Sequence, residues 1–301
     1  SSAMHTARII VIAALATAFI TVNQAVRAEE HLTPKDMVYI GQGGSVMGLD
    51  REESVATGKK LTLFERRMKT PWSAEALNDE SPAHMVFLDP YFIDKYEVSN
   101  KDYGEFIKAK GHPAPAYWDD PRLNKSQLPV VGVNWEDARA FCDYRGKRLP
   151  TEAEWEKAAR GADGNLYPWG NAFDPAKVNY GKKHDATMPV DSYPEGASYY
   201  GLHHMSGNVF EWVSDWYDQD YYKSAPDRNP QGPETGTQKA FRGGGWMAST
   251  TTMRVAMRNG TDPNTKINWL GFRCAKSVTG DQLSGKTSRM HDESSTMETT
   301  R

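Results

Sequence analysis

The chain reads as an α+β protein: a single irregular, loop-rich domain with short strands and a few short helices. Three observations carry that reading. Only three segments repeat their apolar residues at helical spacing, and all are short. The strand candidates, rich in aromatic and β-branched residues, are brief and broken by Gly, Pro and Asp. Aromatic residues make up 11% of the 301, with nine Trp among 25 Gly and 17 Pro, so large rings are available to fill space between irregular segments.

Met4 to Arg8 is short and basic, Ile9 to Val22 is almost wholly apolar, and Val26-Arg27-Ala28 puts small residues where a signal peptidase reads them. Residues 1–28 are therefore expected to be a signal peptide. The rival is an uncleaved anchor, because Ile9 to Val26 approaches the ~20 residues that span a bilayer. Asn23 and Gln24 inside that stretch favour cleavage. Either reading exports the body, with the periplasm as the expected compartment, and membrane contact is expected only from the uncleaved form. Residues 29–36 form a polar leader.

Met37 to Leu49 alternates into a glycine cluster, which suggests a strand and a hairpin. Residues 50–82 are charged and interrupted, with LTLFERRMKTPW embedded in them, and read as a long surface loop with one ordered turn. HMVFLDPYFIDKYEV predicts two strands around Asp89-Pro90. Ser99 to Lys110 predicts a helix, capped by Ser99, with Tyr103, Phe106 and Ile107 on one face and Gly111 as its stop. Trp135 to Tyr144 is the second helix, carrying Trp135, Ala138, Phe141 and Cys142 at helical spacing. Thr151 to Arg160 is the third, where Thr151 and Glu154 form a capping box and Trp155, Ala158 and Ala159 face inward. From Gly161 onward the strand candidates are GLHHM, NVFEWVSDW, KAFRGGGWM, MRVAMRN and LGFRCAKSV. Residues 279–301 lack apolar periodicity and read as a disordered tail. The folded body is thus 37–278, without internal repeats.

A net charge of −3 and the lack of a basic block argue against nucleic acid as a partner. There are two cysteines, Cys142 and Cys274. In an oxidising compartment an even count without metal-ligand neighbours favours a disulfide over two buried thiols. No histidine pair has the helical spacing of a zinc site, and no Cys-x-x-Cys occurs. The run Arg242-Gly243-Gly244-Gly245-Trp246 lets backbone pass close to a neighbour; without a following Lys-Ser/Thr, close strand packing is a plainer reading than a phosphate cradle. Ser249 and Thr250 to Thr252 would need a general base and an orienting group to act as nucleophiles, and Ser/Thr runs are ordinarily turn chemistry. Arg242, Arg254, Arg258 and Arg273 gather in the last strands with Asn259, Trp246 and Trp269. Arg beside Trp can grip a peptide or carboxylate, or these arginines pair internally with acids such as Asp215 and Glu154.

Taken together, LPTEAEWEKAARG (149–161), GNVFEW (207–212), FRGGGWMASTTT (241–252) and LGFRCA (270–275) resemble the sulfatase-modifying-factor family, whose best-known members are formylglycine-generating enzymes. The resemblance covers 37–278 and implies a C-type-lectin-like fold with Cys142 paired to Cys274. Those enzymes oxidise a substrate cysteine using copper held by two cysteines just after the glycine-rich strand. Here that run is Ala248, Ser249, Thr250, Thr251 and Thr252, so no copper is expected. The resemblance also implies structural calcium. Gly207, Asn208, Val209 and Glu211 would wrap one ion, although His204 stands where relatives place an Asn or Asp and Phe210 replaces the usual Trp. Asn179, Tyr180 and Asp185 would hold a second, with the acidic loop shortened to Lys182 to Met188. The expected function is a non-catalytic binding or assembly module, with no catalytic residue assigned. It would contact a peptide, or a partner subunit of an envelope complex, through a cleft of Arg242, Gly244, Trp246, Ser249, Arg258, Asn259, Trp269 and Arg273. The alternative is a divergent periplasmic oxidoreductase or protein-modifying enzyme using another cofactor.

Overall fold

The structure, a computed structural model, describes residues 33–50, 78–161, 164–280 and 282. The expected signal peptide or anchor, the leader to residue 32, the LTLFERRMKTPW segment and the tail beyond 282 lie outside the described residues. Residues Asp36–Val278 form one compact unit, and Ser1–Lys35 with Thr279–Arg301 form another. In the second, Thr279 N–H donates to Gln282 Oε1 at 2.9 Å.

The three helices stand where periodicity and caps put them. Helix α1 (Asn100–Lys110) starts at Ser99, whose hydroxyl accepts from Asp102 N–H, and stops at Gly111 in the left-handed region, φ 62°. Helix α2 (Trp135–Tyr144) opens on a reciprocal box between Asn134 and Asp137. Helix α3 (Glu152–Arg160) opens on the expected box of Thr151 and Glu154. Its burial extends beyond Trp155, Ala158 and Ala159 to Glu152, Glu156 and Arg160, so this helix runs through the interior instead of lying on it.

The strands are short, as expected, but pair differently from the hairpin reading. Strand β1 (Met37–Ile40) joins β4 (Tyr91–Asp94), while β2 (Gly43–Met47) joins β3 (His84–Leu88), both antiparallel. Met37 to Leu49 therefore makes no hairpin with itself: Gly41-Gln42 carries the chain from one sheet to another. In the same way LGFRCAKSV splits. Strand β8 (Leu270–Phe272) lies parallel to β5 (Phe210–Trp216), and β9 (Ala275–Ser277) pairs with β4. Strand β6 (Lys239–Arg242) lies between β5 and β7 (Asn259–Thr261). The sheets are thus β1-β4-β9, β2-β3 and β7-β6-β5-β8.

Two strand expectations fail. GLHHM is a turn, because Gly201, His204, Gly207 and Asn208 all take positive φ, which interrupts any ladder. Of MRVAMRN only Asn259 enters a strand; Thr250–Met253 is a 3₁₀ turn and the residues after it turn inward. The expected surface loop also needs correction at its end, since Asp79 and Glu80, in the 3₁₀ turn Asn78–Glu80, are buried.

Two large apolar clusters fill the body, with a small third of Leu123, Val131 and Val209. One centres on Tyr103, Phe106, Phe141, Trp212 and Phe272, the other on Ile40, Tyr91, Ile93, Trp155 and Val255. Cys142 and Cys274 form the expected disulfide in the first cluster, tying α2 to the link between β8 and β9.

Candidate functional site

Strand β6 delivers Arg242 and then stops, because Gly243 and Gly244 take φ 102° and 75°. A Cβ on Gly244 would lie 2.4 Å from Met253 Cε and 2.8 Å from the Thr252 carbonyl oxygen. Glycine at this position is therefore a packing requirement as well as a backbone one. The run continues with Trp246, whose N–H donates to Asn208 O at 2.7 Å and whose indole donates to Asn268 O at 3.1 Å. Ala248 N–H closes onto Gly245 O, and the loop after Tyr180 pairs with the run through Gly181 N–H to Ala248 O and Lys182 N–H to Trp246 O. Mainly backbone bonds thus hold the place where the resemblance expects reactive thiols.

The side chains left at the surface of this run are few. Met247, Ser249 and Trp269 are partly exposed, with Tyr180 from the neighbouring loop. Trp269 packs on Phe210 at 5.1 Å and Phe241 at 5.8 Å, and Tyr180 on Phe173 at 5.1 Å. These rings are seated on the core and present partial faces, a low-entropy contact surface. Thr252 Oγ1 is turned back to Ser249 O. The imidazoles of His203 and His204 are engaged with Ser192 and Pro189, so neither faces Ser249 as a base.

The arginines of the expected cleft lie elsewhere. Arg242, Arg254, Arg258 and Arg273 are at most 2% exposed, and each meets a buried carboxylate. Arg242 bonds Glu152 and Glu156, Arg258 bonds Glu152, Arg254 grips Glu80 through two 2.8 Å bonds, and Arg273 grips Glu211 likewise. Arg258 also stacks 4.0 Å over Tyr222. A guanidinium so enclosed cannot also hold a ligand. The pairing acids are Glu152, Glu156, Glu80 and Glu211, not the expected Asp215 and Glu154. Glu154 instead serves Arg148 and the helix cap. Burial would push Glu152 up, but Arg258 and Arg242 hold it below the usual carboxylate range. Asp215, buried without an arginine, is pushed up to about 7 by burial and by Glu152. Asn259 is buried too, its Nδ2 lacking a partner. Of the expected cleft, Ser249 and Trp269 remain at the surface, with Trp246 and Gly244 buried beneath as packing.

Several of the side chains expected to hold calcium are engaged with protein groups. Both oxygens of Glu211 are taken by Arg273, and Oε2 also accepts from Trp155 Nε1 at 2.9 Å. Asn208 Oδ1 accepts from Met188 N–H and Asn179 Nδ2, while its Nδ2 donates to Glu97 and Met188 O. His204 Nε2 lies 3.1 Å from Pro189 O and so must carry its proton toward that carbonyl. Gly207 and Val209 bond through their own N–H groups to Gly243 O and Glu97. At the second position Asp185 is exposed and faces Arg122 at 3.5 Å. The carbonyls of Asn179 and Tyr180 accept from Asn208 and Lys183, whereas Asn179 Oδ1 is buried without a hydrogen-bond partner. Among the described residues no group of three or more His, Cys, Asp or Glu is placed to hold a metal ion.

Residues 22–278 match the family model described as sulfatase-modifying factor enzyme 1-like domain. A formylglycine-generating enzyme of Streptomyces coelicolor is 35% identical over 257 residues, spanning 65% of this chain and 81% of its own. The inactive C-alpha-formylglycine-generating enzyme 2 of Mus musculus is 33% identical over 258 residues, spanning 66% and 79%. The serine/threonine-protein kinase pkn1 of Chlamydia caviae is 37% identical over 226 residues, spanning 68% of this chain but 36% of its own. The chain therefore covers little more than a third of that relative. Among solved structures, PvdO from Pseudomonas aeruginosa superposes with a TM-score of 0.63 at 25% identity, covering 81% of this chain and 96% of PvdO.

Proposed function

Because the chain belongs to the sulfatase-modifying-factor family, we propose that it is an exported member working without the family's thiol chemistry, as a binding or assembly module. The observation that carries this reading is the fate of its cysteines. The chain has two, and both are spent in a buried disulfide. Ala248 to Thr252 offers no thiolate, the donor that soft Cu(I) requires. Met253 is fully buried and packs against Gly244, the usual role of a core thioether. Ser249 lacks a facing imidazole, as described above, so its hydroxyl is a hydrogen-bonding group and not an activated nucleophile.

What the run does offer is Ser249, Trp269 and Tyr180, partly exposed on a base anchored by the buried Trp246. That combination of anchored rings and one free hydroxyl suits an extended peptide or a partner's loop. Export rests on the basic, apolar and small-residue pattern of residues 4–28. The test is direct. The full chain is incubated with a Cys-x-Pro-x-Arg peptide, copper and oxygen, and the peptide is followed by mass spectrometry. The peptide should remain unoxidised while a photo-reactive copy of it labels the run at 246–249. Stoichiometric conversion to the aldehyde would mean an enzyme.

A further inference from the structure

The loop after Tyr180 carries charge to the edge of the surface run. Gly181 N–H donates to Ala248 O at 2.9 Å and Lys182 N–H to Trp246 O at 2.8 Å, so this loop lies directly against the run. Lys183 N–H and Asp185 N–H donate in turn to Tyr180 O and Lys182 O, and Lys182, Lys183 and His184 are exposed. Asp185, the acid of the loop itself, faces Arg122 at 3.5 Å, and Asp174 stands 4.0 Å from Lys177. His184 Nε2 lies 2.8 Å from Tyr193 Oη. The Lys183 ammonium donates to Pro175 O at 3.0 Å and lies 4.8 Å over the Tyr193 ring, neutral partners that leave its charge uncancelled. Among the described residues neither Lys182 nor Lys183 pairs with a carboxylate. In a chain whose net charge is −3, two uncompensated ammonium groups thus stand on the loop beside Tyr180 and Ser249.

Building on the reading of the run as a peptide-contact surface, we infer that the segment it meets is acidic. An extended peptide would lay an aromatic or apolar side chain on Trp269 and Tyr180 and turn a carboxylate toward Lys182 and Lys183. The centre of such a contact is rigid, because Trp269 is seated on Phe210 and Tyr180 on Phe173, each at 5.1 Å, and rings so held position a partner at little entropic cost. The Ser249 hydroxyl makes no hydrogen bond among the described residues and can serve a peptide carbonyl or N–H. The ammonium groups then set the sign of the partner. The arginine of a Cys-x-Pro-x-Arg peptide would bring like charge to this loop, and like-charge juxtaposition is a means by which an interface rejects a partner.

The test uses the full chain and two photo-reactive peptides on the Cys-x-Pro-x-Arg frame, one keeping its arginine and one with glutamate in its place. At low ionic strength the glutamate copy should label the run about three to ten times more strongly, the range that two exposed ion pairs give. The advantage should shrink as salt screens it. Lys182→Gln with Lys183→Gln should bring the two copies level and leave the unfolding midpoint unchanged, because both side chains are exposed. Equal labelling by the two copies, preference for the arginine copy, or a preference that survives the double substitution overturns the acidic partner and leaves the peptide-contact reading standing. Labelling of the run by neither copy overturns both. Displacement of the glutamate copy by a DNA oligonucleotide as readily as by unlabelled peptide would mean an unselective anion patch, and the acidic peptide falls in that case too. If the double variant unfolds early, the two copies on the unsubstituted chain decide alone.

Discussion

The last residue of β6 and the run that follows it face opposite conditions. On the interior side Arg242 enters a network of Glu152, Glu156 and Arg258 that is at most 2% exposed. A few residues later, Met247 and Ser249 are partly exposed on either side of the buried Ala248. Charges in the first region can only be satisfied by one another, so each is tied to a single arrangement. In the second, the Ser249 side chain can change without breaking a core contact, while Ala248 and Met247 pack on the core. The difference teaches where fold and contact are separately written: the arginines specify the frame, and the short run between Trp246 and Ser249 is free to specify a partner.

Four substitutions break or sharpen that contrast. Replacing both Cys142 and Cys274 by Ala releases a loop of 132 residues, for which the chain-entropy model gives about 5 kcal/mol; denaturant unfolding under oxidising conditions measures it. Arg242→Met leaves two buried glutamates sharing fewer cations and should cost about 3–5 kcal/mol. A loss under about 1 kcal/mol by the same unfolding measurement would mean that the interior tolerates the change as a surface does.

The third concerns pH. Asp215 and Asp79 have folded values raised to about 7 and about 6, mainly by burial. A carboxyl raised on folding stabilises the native state while it is protonated, fully below its unfolded value near 4, and that contribution is lost as pH rises through 6 to 7. Glu152 has the opposite sign: held low by Arg258 and Arg242, it stabilises above its unfolded value near 4.5 and is lost on acidification. Stability should therefore peak near pH 5 and fall toward pH 8. Asp215→Asn should flatten the alkaline side, gaining on the parent chain as pH rises, and a parallel shift at every pH would contradict the assignment. The fourth is Ser249→Ala, expected to change stability by less than about 0.5 kcal/mol while weakening peptide labelling.

How much of this was legible in the sequence depends on range. The helices were, because Ser99, Thr151 and Gly111 act within one turn of themselves and the apolar spacing is local. The disulfide was, once two cysteines and an exported body were on the page. Strand pairing was not: Met37 to Leu49 alternates like a hairpin, yet its halves pair with β4 and β3, at His84 and beyond. The arginine partners were missed for a similar reason. Glu152 and Glu156 stand one helical turn apart on α3, a spacing that marks a shared face, but only the tertiary fold shows that this face is inside. Glu80 lies 174 residues from Arg254, beyond any periodic signal. The surroundings of the expected calcium donors were not legible either, because a motif names the residues and not what else bonds their oxygens.

The central claim is that the surface run, and not the arginine interior, meets a partner. A photo-crosslinking residue placed at Ser249 in the full chain, in native envelopes, tests it most directly, with the same residue at Tyr199, which is 70% exposed, as control. The account predicts one discrete adduct from position 249, absent from 199 and displaced by the peptide that labels the run. No adduct at 249, or the same adducts from both positions, would contradict it.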